Sequence, residues 1–262
     1  MNIHSFKKKK TDQEKLVMVT CYDAAAAAIV EKSKVDCVLV GDSVSMVVHG
    51  YPDTTHATMD MMELHTCAVA KKIRTKMIVA DLPFLSYRCS MFDTMQNVKR
   101  LMQAGANAVK LEGADGNLET IRHIVDSGIP VVGHIGLTPQ SIHQLGGNRV
   151  QGRSKDVATK LFEQAMQIEK AGAFCLVLEC VPNTLAEKIT KKLKIPTIGI
   201  GAGPSTDGQV LVYHDLLGLQ NEFEPKFLKR YCNGEEYFLK ALNKYALDVQ
   251  DRSYPDPELH GY

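Results

Sequence analysis

Short runs of apolar, often β-branched residues recur along the chain, each entered from an amphipathic stretch and left through polar or glycine-rich residues. Eight such runs stand at 16–20, 37–40, 77–80, 106–111, 130–133, 174–178, 197–200 and 210–213. Unbroken apolar runs of this length suit parallel strands covered on both faces, where alternation is not required. The intervening segments predict helices over 61–74, 91–104, 118–126, 155–171 and 184–193. A local phrase repeats at their ends: Ala-Gly-Ala at 104–106 and at 171–173, and Ser-Gly-Ile at 127–129, each running directly into the next apolar run. Glycine accepts the left-handed conformation at a helix C-terminus, so strand, helix, strand is the unit. Eight such units without a Pro/Ser linker predict an α/β fold of the (β/α)₈ TIM-barrel type rather than a doubly wound sheet. The first strand also lacks the G-x-G-x-x-G turn of a dinucleotide-binding domain. The pattern predicts a single barrel domain over 1–219 and a C-terminal helical extension over 220–262, helical from 225 to 249, packed on the barrel or on a neighbouring subunit.

The 262 residues carry 31 basic and 30 acidic side chains, a net charge of +1, which argues against a nucleic-acid binder. No apolar run approaches the roughly 20 residues that cross a bilayer. The first ten residues lack the apolar stretch of a secretory signal. The seven cysteines are scattered without C-x-x-C spacing and are expected to be reduced thiols of a cytoplasmic protein. The run Lys7 to Lys10 is expected to be a solvated element end, and the methionines around 59–62 and 91–101 to be core.

Catalytic groups of such barrels sit where strands end. The residues found there are Tyr22 and Asp23, Asp42 and Ser43, Asp81, Lys110 and Glu112, His134, Glu179, the 199–203 glycine turn, and His214 with Asp215. Any one of these aspartates can be a helix N-cap and nothing more. Four carboxylates, Asp42, Asp81, Glu112 and Glu179, abutting apolar strands at one mouth need a cation or a partner. Oxygen ligands without a His or Cys cluster favour a hard cation such as Mg²⁺. Lys110 and Glu112 are two apart in a strand and share a face. Their alternatives are a buried ion pair, a cation for a substrate carboxylate, or a Schiff-base amine. For His134, ligand contact and a structural role both stand. The 199–203 turn is either a phosphate cradle or a tight strand exit.

Seven sequence blocks carry a resemblance. They are Val-Gly-Asp-Ser-Val-Ser-Met-Val-Val at 40–48, Val-Ala-Asp-Leu-Pro-Phe at 79–84, Val-Lys-Leu-Glu-Gly at 109–113, Gly-His-Ile-Gly-Leu-Thr-Pro-Gln-Ser at 133–141, Val-Gln-Gly-Arg at 150–153, Leu-Glu-Cys-Val-Pro at 178–182, and Ile-Pro-Thr-Ile-Gly-Ile-Gly-Ala-Gly at 195–203. A further stretch, Asp-Gly-Gln-Val-Leu-Val, follows at 207–212. In order, over about residues 3 to 255, the chain resembles the ketopantoate hydroxymethyltransferase family.

The resemblance implies a transferase that moves a hydroxymethyl group from 5,10-methylenetetrahydrofolate to 3-methyl-2-oxobutanoate, giving 2-dehydropantoate for pantothenate synthesis. It implies Mg²⁺ at Asp42, Asp81 and Glu112. Asp42, Ser43, Asp81 and Lys110 would contact the keto acid, and Glu179 would be the general base. A large homo-oligomer, a decamer, is implied by resemblance alone. Ser45 and Ala114 stand where the family usually has glycine. The rival readings are a Mg²⁺-dependent lyase or mutase of the isocitrate lyase and phosphoenolpyruvate mutase group, whose cysteine-containing catalytic loop is not found here, a Schiff-base aldolase on Lys110, and an inactive barrel serving as a scaffold.

Overall fold

The computed structural model describes every residue except 221–223, which fall within the expected extension and lie outside the described residues. Eight strands run β1 (Leu16–Thr20), β2 (Cys37–Val40), β3 (Met77–Asp81), β4 (Ala108–Glu112), β5 (Val131–Gly136), β6 (Cys175–Glu179), β7 (Thr197–Ile200) and β8 (Gly208–Leu211). They pair in parallel in chain order and close through β8 on β1, the (β/α)₈ barrel that the apolar runs predicted. The helices are α1 (Ile3–Thr11), α2 (Ala24–Glu31), α3 (Val44–Val47), α4 (Met59–Ala70), α5 (Met91–Gln103), α6 (Leu118–Asp126), α7 (Ile142–Leu145), α8 (Lys155–Lys170), α9 (Asn183–Lys192), α10 (Tyr213–Leu217), α11 (Gly234–Gln250) and α12 (Pro257–His260). The chain falls into two compact units, Met1–Val212 and Tyr213–Tyr262, the first holding the whole barrel. Among the described residues no helix is long and apolar enough to cross a membrane.

The inward positions follow the two-residue period of a strand. Leu16 and Met18, Cys37 and Leu39, Met77 and Val79, Ala108, Val132, Cys175 and Val177, Ile198 and Val210 fill the barrel interior, and Phe6 of α1 packs against the same cluster. Phe6 meets Phe174 edge-on at 5.4 Å between ring centroids. This seats α1 at the N-terminal end of the barrel and draws its lysines beside acids that precede strands. Lys9 pairs with Asp36 at 2.8 Å and Lys10 with Asp207 at 2.7 Å, so two members of the lysine run are half-buried struts rather than a solvated end. Of the methionines expected in the core, Met62 alone is fully buried in the two helices concerned, and Met91 is exposed, because both helices form the outer layer.

Strands β3 to β6 extend beyond the apolar runs into Asp81, Glu112, Gly136 and Glu179. Hydropathy stops early there because the top of the barrel interior is polar. At β8 the error is the reverse: Gly208 and Gln209 pair with Leu16 and Val17, while Tyr213 already opens α10, so His214 and Asp215 are helical residues of the second unit. Asp23 is a cap, its carboxylate accepting from the Ala25 and Ala26 amides at 2.7 and 2.8 Å. The last long helix starts at Gly234 rather than 225. The chain before it turns, with the Leu228 amide donating to the Pro225 carbonyl at 2.9 Å.

Two glycines shape the route to the mouth. A Cβ on Gly133 would stand 2.5 Å from Ile168, so α8 lies directly on β5. Gly136 takes φ of +102°, and a side chain there would collide with the Glu179 carbonyl. The Leu137 amide instead donates to that carbonyl at 2.8 Å, which locks the exit of β5 to the end of β6.

Candidate active site

The same alternation that fills the lower barrel carries polar groups at its top. Past Val79 the next inward residue is Asp81; past Ala108 come Lys110 and Glu112; past Val132, His134; past Val177, Glu179. Register sets the neighbours, Asp81 opposite Lys110 and Glu112 opposite His134.

These side chains form one connected line. Asp81 Oδ2 accepts from the Asp42 amide at 3.1 Å, and its Oδ1 lies 3.0 Å from Lys110 Nζ. Lys110 stands 3.8 Å from Glu112 Oε1, which also faces His134 Nδ1 at 3.2 Å. His134 Nε2 then meets Glu179 Oε2 at 3.2 Å. Glu179 is 17% exposed, whereas the other four side chains in these pairs are 3–4% exposed, so Glu179 is the acid of this line that a ligand entering from solvent reaches.

Burial, with Asp81 and Glu112 close by, pushes the Asp42 carboxyl well above the ordinary carboxylate range. Burial and Glu112 likewise raise Asp81, against the pull of Lys110. For Glu112 burial is outweighed by His134 and Lys110, which hold it below its usual range. Burial would depress Lys110, yet Asp81, Glu112 and Asp42 overcome it and keep the ammonium protonated. Burial and Lys110 oppose charge on His134, but Glu112 and Glu179 prevail and lift it to about 9. A lysine held as an ammonium against Asp81 is poorly disposed to be the free amine of a Schiff base.

Three residues that sequence reasoning did not single out, together with Tyr22 of the strand-end set, complete the surroundings. Gln140, just beyond β5, donates from Nε2 to Asp42 Oδ2 at 2.7 Å and from its backbone N–H to Glu112 Oε2 at 3.0 Å. Tyr87 donates its hydroxyl to Gln140 Oε1 at 2.7 Å. Asn117 Nδ2 donates to the Glu112 carbonyl at 2.8 Å, fixing the exit of β4. The Tyr22 hydroxyl lies 2.8 Å from Ser43 Oγ, which places Ser43 at the β2 exit beside the β1 exit. The signal for the first three was their place in loops that follow strands, but uncharged side chains there look like any loop polar residue. Ser45 and Ala114 are both buried. The Ser45 hydroxyl lies 2.9 Å from both the Asp42 and the Asp53 carbonyls and shares its one proton between them. In the 199–203 turn, Gly203 at φ of +80° presses on Asn183, which suits a tight strand exit.

The donor set fits a hard divalent cation. Asp42, Asp81 and Glu112 follow or end β2, β3 and β4 around one lysine, and burial together with the neighbouring acids raises Asp42 and Asp81. Among the described residues no three His, Cys, Asp or Glu side chains stand together as a preformed metal cage. Mg²⁺ is usually held by one or two carboxylates with substrate oxygens and water, so Asp42 and Asp81 satisfy what it needs from protein.

Comparison with known proteins bears on the family. The sequence pattern of the ketopantoate hydroxymethyltransferase family matches residues 1–257. The chain is 58% identical over 259 residues to a 3-methyl-2-oxobutanoate hydroxymethyltransferase of Legionella pneumophila (strain Lens), covering 98% of this chain and 99% of the relative. It is 52% identical to that of Francisella tularensis subsp. tularensis (strain WY96-3418), covering 98% and 97%. Among solved structures, phosphonopyruvate hydrolase superposes with a TM-score of 0.63 over 96% of this chain and 88% of that one, at 11% identity. A 2,3-dimethylmalate lyase of the PEP mutase/isocitrate lyase superfamily gives 0.59 over 79% and 80%, at 14% identity, and both show the shared barrel. The rival mutase reading therefore shares the fold, while sequence identity decides the family: the chain belongs to the ketopantoate hydroxymethyltransferases.

Proposed function

We propose that this enzyme transfers a hydroxymethyl group from 5,10-methylenetetrahydrofolate to 3-methyl-2-oxobutanoate, giving 2-dehydropantoate, with Mg²⁺ as its metal. The observation that carries the reading is the line of groups from Asp42 to Glu179, which joins a cation-demanding acid cluster to one partly exposed carboxylate. Asp42 and Asp81 hold the metal, with Glu112 as the third acid behind them. Ser43 and Lys110, with Asp42 and Asp81, bind the keto acid. When bound, Mg²⁺ supplies a Lewis-acid counter-charge for the keto oxygen as C3 loses its proton. Glu179 takes that proton, and its contact with His134 orients the carboxylate. Lys110, held as an ammonium, adds a second positive charge near the developing oxyanion. The C3 carbanion equivalent and one water together take the methylene carbon of the folate, C3 forming the new C–C bond and water supplying the hydroxyl, while both C–N bonds to the folate break and tetrahydrofolate leaves.

The same reading supports cytoplasmic location, which suits seven cysteines all unpaired. It also supports a homo-oligomer. In the second unit, Tyr237, Phe238, Leu242 and Tyr245 of α11 are each more than half exposed, a run of large apolar side chains that a monomer in water rarely shows. The deciding experiment is folate-dependent formation of 2-dehydropantoate with and without EDTA. Formation abolished by EDTA and restored by Mg²⁺ is expected; turnover indifferent to EDTA overturns the metal, and no turnover overturns the activity.

A further inference from the structure

We propose that Gln140 is a positioning residue, bridging Asp42 and Glu112 so that Asp42 presents one defined oxygen to cation and substrate while Glu112 is held against Lys110 and His134; the inference rests on reading Asp42, Asp81 and Glu112 as the metal site. Gln140 is 5% exposed and lies in the loop after β5, while the acids it joins end β2 and β4. Its Nε2 donates to Asp42 Oδ2 at 2.7 Å and to the carbonyl of Leu82, the residue after Asp81, at 3.0 Å. Its backbone N–H donates to Glu112 Oε2 at 3.0 Å. One residue thus touches the exits of three acid-bearing strands.

The chemistry settles which way the amide faces. The Leu82 carbonyl can only accept, as can Asp42 Oδ2 once ionised at a cation, so both meet the NH₂ end and both of its protons are used. The Tyr87 hydroxyl donates to Oε1 at 2.7 Å and accepts from the Glu112 amide at 3.3 Å. A flipped amide would set oxygen against two acceptors and NH₂ against a donor. Gln140 therefore occupies one oxygen of Asp42 and one of Glu112. Asp42 Oδ1 is left for metal and substrate, while Glu112 Oε1 faces His134 and Lys110, and both carboxylates are held in one orientation. Such outer partners commonly change metal affinity by about 10- to 100-fold when removed. Tyr87 reaches the two carboxylates through the amide it orients, its own bond to Glu112 being to the backbone.

Calorimetry of Mg²⁺ in the presence of 3-methyl-2-oxobutanoate tests this. For Gln140→Leu the dissociation constant should rise about tenfold or more, and for Tyr87→Phe about threefold. The double variant should bind no more weakly than Gln140→Leu alone, since a residue acting through Gln140 has nothing left to act through. A purely structural role would instead make the two losses add. Wild-type affinity in Gln140→Leu, or additive losses, overturns the inference. If Gln140→Leu does not fold by circular dichroism, Tyr87→Phe decides alone, and unchanged Mg²⁺ affinity there overturns it. A wild-type chain that binds neither Mg²⁺ nor keto acid overturns the reading of the site itself, which is a distinguishable result.

Discussion

His134 Nε2 stands 3.2 Å from Glu179 Oε2 while its Nδ1 stands 3.2 Å from Glu112 Oε1, so one imidazole spans the buried acid cluster and the carboxylate nearest to solvent. An imidazole so placed is best stabilised as its cation, with a proton on each nitrogen and a carboxylate for each. It holds Glu179 by Oε2 and leaves Oε1 for the proton transfer proposed for this residue.

Replacing Glu179 with Gln keeps the shape and removes the base. Loss of C3 proton exchange by about 10²- to 10⁴-fold is expected, with keto-acid binding retained. Exchange followed by NMR in deuterated buffer, with the acid's affinity measured alongside, checks this; unchanged exchange would remove Glu179 from the role of base.

Asp81→Asn should weaken Mg²⁺ and keto acid together and also leave Lys110 without its 3.0 Å partner. Stripping one member of a buried charge pair costs about 3–5 kcal/mol. A urea titration reads the stability loss and calorimetry the affinities, and unaltered affinities would contradict the placement of the metal. Borohydride with keto acid should trap nothing on Lys110 in the wild type, because its amine is protonated; an adduct seen by mass spectrometry would reverse that.

Ser45→Gly deletes the hydroxyl whose proton the Asp42 and Asp53 carbonyls share. A loss of about 1–2 kcal/mol in the urea midpoint is expected. A midpoint that does not move would show that glycine's freedom, not the serine bonds, suits the loop.

Cys180 follows Glu179 directly and takes a left-handed φ of 47°, held by its N–H to the Ile200 carbonyl and by the Gln151 N–H to its own carbonyl, both at 2.8 Å. Burial, and then Glu179, pushes its thiol up to about 11. The thiolate is therefore scarce at neutral pH and grows about tenfold per pH unit until that value is reached. Iodoacetamide labelling mapped by mass spectrometry should reach exposed Cys89 and Cys232 first at pH 7.5, and reach Cys180 faster at pH 9.5. Equal labelling of Cys180 at both pH values would refute the shift.

Much of this molecule was legible in one dimension. Gly105 and Gly172 close helices at φ of +110° and +102°, as the repeated Ala-Gly-Ala phrase requires. The strands at 16–20, 37–40 and 197–200 match residue for residue. The expected edges failed where an environment reversed the usual meaning of hydropathy. Polar strand ends pointed into a polar interior, and a basic helix was drawn down by Phe6 onto Asp36 and Asp207.

The sequence by itself determined the barrel, because eight apolar runs joined by helices have few other ways to bury both faces of a sheet. It also brought out Asp42, Asp81, Lys110, Glu112 and Glu179, because charged side chains beside apolar strands are costly unless they meet. Only the tertiary structure decided how they meet. Strand register set Asp81 against Lys110 and Glu112 against His134, and ring closure brought Gln140 from the far side of β5 onto Asp42, 98 residues away in the chain. Local preference carries no information at that separation. The pairing follows from the single arrangement in which the buried polar groups are together satisfied.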